Sequence, residues 1–408
     1  MRAAGAVIAA LLIACLFPAC RRPAAPVSLP TPAPAPTPTP APTPPPPPYV
    51  PNKRVEVGKM FNGAQVRTTL ETEVGGSSTA VRADPASYEV DVTVRVKIPK
   101  PHKSLEELTK LNDRLPALLP GLPALLEGAK ISPLWDDLYR LKTVQLKKSL
   151  NRFDTLLTRH DLYDCETILE MQHPATKRRV VLIQADMDTD DDGSDSDRVP
   201  EVDGSSANFQ PFTSYRWAKK TAAPNSFVAP REIKLRQCET ELATPNLSPS
   251  RVSELKSASG RLKSEISDLK QYSFLVASLD PYVVLPLSML GKKSSHAVVV
   301  GDCCVVAYGS VLYPAIVGDA GPAFKVGEGS LRLCQQLNAR ADANNRPENE
   351  LKVTYLVFPG TAETSDAPDL TKWRARCEKL LTEIGGFGGE LFTWPDVAMP
   401  ATTTTAKP

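Results

Sequence analysis

Strict alternation opens the folding part of the chain. Tyr88, Val90, Val92, Val94, Val96 and Ile98 are apolar, and Glu89, Asp91, Thr93, Arg95 and Lys97 between them are polar. A period of two marks a half-buried strand, and Pro99 and Pro101 end it. The period then changes. Ser104 with Glu107 is a capping-box pattern for a short helix. Leu115–Leu126 is apolar but broken by Pro116, Pro120 and Pro123, which allows only short helical turns. A longer helix is expected over Leu134–Arg159, with Leu146, Leu150, Phe153 and Leu157 on one face. Arg251–Lys270 is a second amphipathic helix, carrying Leu255, Leu262, Ile266 and Leu269 at helical spacing.

Two β regions frame that helix. Cys165–Gln172 and Arg178–Ala185 flank a turn at residues 173–177 and predict a hairpin. From Ser273, the runs Tyr282–Leu285, Ala297–Val300, Cys303–Tyr308 and Val311–Val317 are short, rich in β-branched residues and separated by turns. A helix over Leu331–Arg340, a strand over Leu351–Phe358 and a helix over Trp373–Ile384 complete the series. The expected class is α+β: a curled, mostly antiparallel sheet or small β-barrel with peripheral helices, in one domain over residues 55–400.

Composition changes the picture mainly at the ends. Residues 1–20 place one arginine before an apolar run that finishes at small residues and a cysteine, the pattern of an export signal and too short to favour a membrane span. Cys15 and Cys20 each close a lipoprotein-like box. Cys20 is the preferred lipid anchor, because cleavage there leaves the longer apolar core; plain secretion is the alternative. Residues 21–54 are a Pro/Ala/Thr-rich stalk, and residues 401–408 a second low-complexity end. A net charge of +2 argues against a nucleic-acid binder. The cysteines form no CxxC pair and the four histidines are scattered, which argues against zinc. An exported chain permits disulfides among Cys165, Cys238, Cys303, Cys304, Cys334 and Cys377, although adjacent Cys303 and Cys304 would face opposite sides of a strand. A monomer is expected.

Two stretches carry candidate chemistry. Asp186–Asp197 packs seven carboxylates into twelve residues, and they repel one another. Asp188, Asp190 and Asp192 with Gly193 copy the start of a calcium loop, but Val199 stands where a bidentate Glu belongs. Recognition of a cationic ligand, neutralisation by Arg198, or a solvated loop are the other readings. The second stretch, Gly318–Ser330, holds Asp319 and Glu328 amid glycines and Pro322, just past a strand. Two such carboxylates suit acid/base work; a surface hairpin with two solvated acids is the plain alternative. Between these stretches, Asn208–Lys220 gathers Phe209, Phe212, Tyr215 and Trp217, whose faces suit sugar rings or a structural loop.

Several segments together resemble one family. Ala185–Gly193 (ADMDTDDDG), Asp280–Pro286 (DPYVVLP), Gly301-Asp302 with Val305–Tyr308, Ile316–Asp319 (IVGD) and Gly327–Ser330 (GEGS) are similar, in order, to motifs of the glycoside hydrolase family 75 chitosanases. The resemblance spans about Val180–Leu337, while residues 55–160 resemble an elaboration of bacterial members. It implies a barrel of the double-psi kind and an endo-acting enzyme that cuts β-1,4 bonds between glucosamine units of chitosan with inversion. Asp319 and Glu328 become the catalytic pair; the resemblance leaves open which is acid and which is base, and Glu328 as acid with Asp319 as base is the preferred assignment. Asp186, Asp188 and Asp190, with Tyr215 and Trp217, become candidates for binding a cationic sugar chain, and no cofactor is implied. Asp190–Asp192 departs from the fungal cysteine-containing loop, and Cys303-Cys304 from the usual aromatic-containing pair. Two other readings stay open: a non-catalytic surface protein binding calcium or a cationic polymer through Asp186–Asp197, and a hydrolase of another amino-sugar polymer.

Overall fold

The computed structural model describes residues 64–67, 77–83, 91–94, 96–152, 159–291 and 294–396. Its strands are β1 (Ala64–Arg67), β2 (Asp91–Val94), β3 (Lys130–Ile131), β4 (Cys165–Gln172), β5 (Arg179–Asp190), β6 (Arg216–Ala218), β7 (Tyr272–Phe274), β8 (Tyr282–Pro286), β9 (Cys303–Tyr308), β10 (Val311–Gly321), β11 (Glu328–Ser330), β12 (Glu348–Val357) and β13 (Glu390–Leu391). The signal segment with Cys20, the Pro-rich stalk and the tail lie outside the described residues.

Six strands close on themselves in the order β5, β11, β8, β10, β9, β12 and back to β5. Four of these joints are antiparallel, and two, β5–β11 and β8–β10, are parallel. The class is therefore α+β around a small barrel, as the hydrophobic pattern predicts. Closure leaves no bare edge among the six, which a sheet of short strands needs. β4 and β3 continue outward from β5, and β13 lies beside β10.

Both faces of β5 are buried over Val180–Ile183, which is why that stretch is an unbroken apolar run. Val181, Ile183, Ala185 and Met187 enter a cluster with Val283, Val306, Val317 and Tyr355 of four other barrel strands. Val180 and Leu182 enter a second cluster with the helical segment Leu108–Leu125 and with Cys377 and Leu381 of helix Leu370–Glu383. Cys303 and Cys304 divide between the same two clusters, as alternation requires. All six described cysteines are free thiols.

The local signals are largely honoured. Ser104 accepts from the Glu107 N–H while Glu107 reaches back to the Ser104 N–H, a complete capping box. The proline-broken stretch forms two short helices, Leu115–Leu118 and Leu122–Glu127. Three boundaries differ. Of the alternating run, Asp91–Val94 is strand, paired with β1, and Val96–Ile98 is not. The long helix covers Pro133–Arg152, and a short helix follows at Arg159–Leu162. Ala297–Val300 contributes only a bridge from Val298 to Leu290. A helix absent from the sequence reading, Val228–Leu242, packs against helix Pro249–Gln271. It buries no residue of its own, so its hydrophobic pattern is faint. No described helix is long and apolar enough to cross a membrane.

Candidate active site

The largest difference from the sequence reading lies where β5 ends. The acidic run does not start as a loop: Asp186, Asp188 and Asp190 are strand residues. Glu328 of β11 sits opposite Asp188, and Ser330 opposite Asp190, so backbone pairing holds these aspartates in extended form. Alternation then places Met187 in the core while the aspartates take the other face.

β10 likewise runs past Val317 to Gly321 and carries Asp319. Its register against β8 slips between Val317 and Asp319, and such a bulge re-aims a side chain. Glycine is required at the slip, because a Cβ on Gly318 would lie 2.6 Å from Leu275 and Tyr282. Beyond it, Asp319 is opposite Val284 of β8. On the other side of β8, Glu328 is opposite the same Val284. Two inter-strand spacings put the two backbones about 10 Å apart. The Glu328 carboxylate leans back over β8, since a Cβ on Gly321 would stand 3.1 Å from its Oε2.

The two acids live in different surroundings. One oxygen of Asp319 accepts from the Ser214 N–H (2.8 Å), the Ser214 hydroxyl (2.6 Å) and the Ala320 N–H (2.7 Å). Burial raises the pKa of Asp319, and those donors oppose the rise by favouring the ionised form. No hydrogen bond among the described residues holds the Glu328 carboxyl. Burial, reinforced by Asp190, pushes its pKa up to about 8, with Lys325 opposing. Glu328 thus carries a proton at neutral pH.

A cleft of about 490 Å³ runs past Glu328, lined by Asp188, Asp190, Asp191, Asp192, Lys325 and Arg346. A second, of about 650 Å³, lies beside Asp319, with Ser214, Phe212, Arg216 and Arg261 in its wall. Asp192 lines both. Its Oδ1 accepts from the Gln210 N–H at 2.6 Å, and burial beside Asp190 raises its pKa to about 8. Asp190 accepts from the Tyr282 hydroxyl (3.0 Å) and the Asp192 N–H (2.9 Å). Burial beside Asp319 moves its pKa to about 7. Crowded carboxylates of this kind share protons rather than ionise together.

The other predicted positions are spread more widely. Asp186 is 1% exposed, beneath the cleft floor, and its pKa is raised to about 9 by burial and by Asp164 and Asp188. It is neutral at pH 7 and faces His160, whose Nδ1 is 3.1 Å away. Asp188 pairs with Arg346 and lies 3.5 Å from Lys325. Asp190, Asp191 and Asp192 bring carboxylate oxygens within 4.8 Å of one another, while Asp188, the first member of the calcium-like pattern, is engaged by Arg346. Tyr215 and Trp217 join a core cluster with Trp373. Tyr215 also borders a separate cavity of about 130 Å³. The rest of the acidic run is structural: Asp195 and Asp280 clasp Arg198, and Asp197 accepts from the Lys220 and Thr221 N–H groups. Ser214, Tyr282, Lys325 and Arg346 escaped the sequence reading. Lys325, Ser214 and Tyr282 lie within the stretches 318–330, 208–220 and 280–286 already singled out and could have been noticed; Arg346 carries no local signal.

The family comparison decides between catalyst and plain binding surface. A family profile described as fungal chitosanase of glycosyl hydrolase group 75 matches residues 187–393, just over half of the chain. The chain belongs to glycoside hydrolase family 75. It is a glycosidase, and its substrate is a polysaccharide of the chitosan kind. The match contains Asp188, Asp190, Asp319 and Glu328, and leaves the helix Pro133–Arg152 and the hairpin entry to β5 outside it. Comparison with curated proteins gives no match.

Proposed function

We propose that this family 75 member is an endo-acting chitosanase that cuts β-1,4 bonds between glucosamine units with inversion. The carrying observation is the placement of Asp319 and Glu328 on either side of Val284, one held by three donors and the other neutral. An inverting reaction needs a protonated acid at the leaving oxygen and an ionised base to activate water from the opposite face. Glu328, protonated at neutral pH, is the acid. Asp319, whose ionised form Ser214 stabilises, is the base. An inverting pair needs room for the attacking water between its carboxyls, and the two backbones stand two strand spacings apart.

Substrate charge fits the cleft. Asp191 faces it and can take an ammonium group, with Asp188 beside it in its ion pair. Asp186 serves from below as a neutral floor. The apolar leader and Cys20 support export with a lipid anchor, and the Pro-rich stalk would hold the enzyme off the membrane. The direct test is reducing-end release from fully deacetylated chitosan by wild type, Glu328→Gln and Asp319→Asn. Loss in both variants with melting unchanged supports the reading. Unchanged turnover in either overturns the assignment, and no wild-type activity on any chitosan overturns the substrate.

A further inference from the structure

Three consecutive residues lead into Glu328, and each rests on side chains that lie outside the family match. Lys325 is 3.4 Å from Asp161. The Val326 N–H donates to Asp164 Oδ2 at 3.2 Å. Gly327 lies so close over Asp186 that a Cβ there would stand 2.3 Å from Oδ1. Asp164 is itself fixed by Lys142, a lysine with no exposed surface, whose Nζ donates to Asp164 Oδ2 (2.7 Å) and to the Asp161 carbonyl (2.6 Å). The Asp164 carbonyl in turn accepts from the Asp186 N–H at 3.2 Å.

A fully buried lysine is costly unless every proton finds a partner. Apolar residues of similar volume would hold helix Pro133–Arg152 in place as well or better. Here the buried charge holds the Asp161 carbonyl and, through Asp164, the backbone N–H two residues before Glu328. That carboxyl has no hydrogen bond of its own among the described residues, so its aim depends on the backbone beneath it.

We propose that the Lys142–Asp164 pair is a positioning couple for catalysis: it pins Val326 and so aims the Glu328 carboxyl at the leaving oxygen. Helix Pro133–Arg152 and residues 159–164 are then part of the working site rather than an appended support. This rests on Glu328 being the general acid.

The test compares two double variants of the full chain. Lys142→Met with Asp164→Leu removes both charges and the acceptor for Val326. Lys142→Met with Asp164→Asn removes the charges but keeps an acceptor. On chitosan oligomers, kcat should fall at least tenfold in the leucine pair, with KM within twofold, and the asparagine pair should recover most of it. Amide hydrogen exchange over 322–328 should quicken in the leucine pair alone. Equal kcat in the two pairs overturns the proposal. If the leucine pair does not fold, Asp164→Ser with Lys142→Met, too short to reach Val326, replaces it. A wild type inactive on chitosan would remove the functional reading, and the exchange comparison would then decide the positioning alone: equal exchange in the two pairs overturns it, and faster exchange in the leucine pair supports it.

Discussion

Asp319 and Glu328 meet the same residue, Val284, from opposite sides of one strand. Their separation is thus written into sheet register rather than into a loop. A slip of one residue on either neighbour would turn that carboxylate to the other face of the sheet.

The pH profile should show which acid does what. Glu328 must be protonated to donate, and its pKa is raised to about 8 by burial and Asp190. The rate should therefore fall as pH rises through about 8. Removing the opposing Lys325 charge in Lys325→Met should move that alkaline limb further up. A limb that stays fixed in the variant, read from kcat/KM against pH, would refute the assignment.

Ser214→Ala removes one of the three donors to Asp319 and leaves the two backbone N–H groups. The ionised base loses support, so its pKa climbs and the acid limb of the profile should shift upward. A hydrogen bond to a charged group contributes roughly 1.5–3 kcal/mol, which corresponds to about a tenfold or greater loss of turnover near the acid limb. An unshifted acid limb in the same assay would show that Asp319 is not the titrating base.

Asp186 gives a stability prediction. Its folded pKa of about 9 lies above the ordinary carboxylate value, mainly through burial. The folded state therefore holds the proton that the unfolded state releases above about pH 4. Stability is full below that pH and is lost progressively as pH rises toward 9. Asp186→Asn should flatten the fall in melting temperature between pH 5 and pH 9. His160 and Arg346 also face this carboxyl, so the comparison belongs at constant ionic strength.

A chelator should change neither turnover nor melting. Oxygens of Asp190 and Asp192 already accept from Tyr282, Asp192 and Gln210, and Asp188 is held by Arg346. A melting temperature that rises with added calcium would instead favour a metal site at Asp190–Asp192.

Much of the frame is visible in the residue pattern, because strands buried on two faces and helices buried on one leave different periods. The runs that became β4, β5, β8, β9 and β10 stand out for that reason, as does the Ser104 capping box. The pair Asp319 and Glu328 stands out only through the family resemblance, since glycines and a strand end around two acids suit a surface hairpin equally well. The acidic run misled. Seven carboxylates read as a loop, yet Asp186, Asp188 and Asp190 are strand residues because β11 and β12, far along the chain, supply their backbone partners. Tyr215 and Trp217 read either as a sugar platform or as structural loop aromatics, and packing with Trp373 takes them into the core.

The sequence by itself determined the α+β class and the order of the main elements, since each rests on neighbours close in the chain, and through the family resemblance it nominated the acid pair. Tertiary structure alone decided which acids ionise. Burial, the donors from Ser214 and the charges of Lys142, Lys325 and Arg346 reach these carboxylates from segments distant in the chain; 158 residues separate Arg346 from Asp188. Local pattern carries no trace of such distances, and a carboxylate's pKa is set by whatever stands within a few ångströms of it.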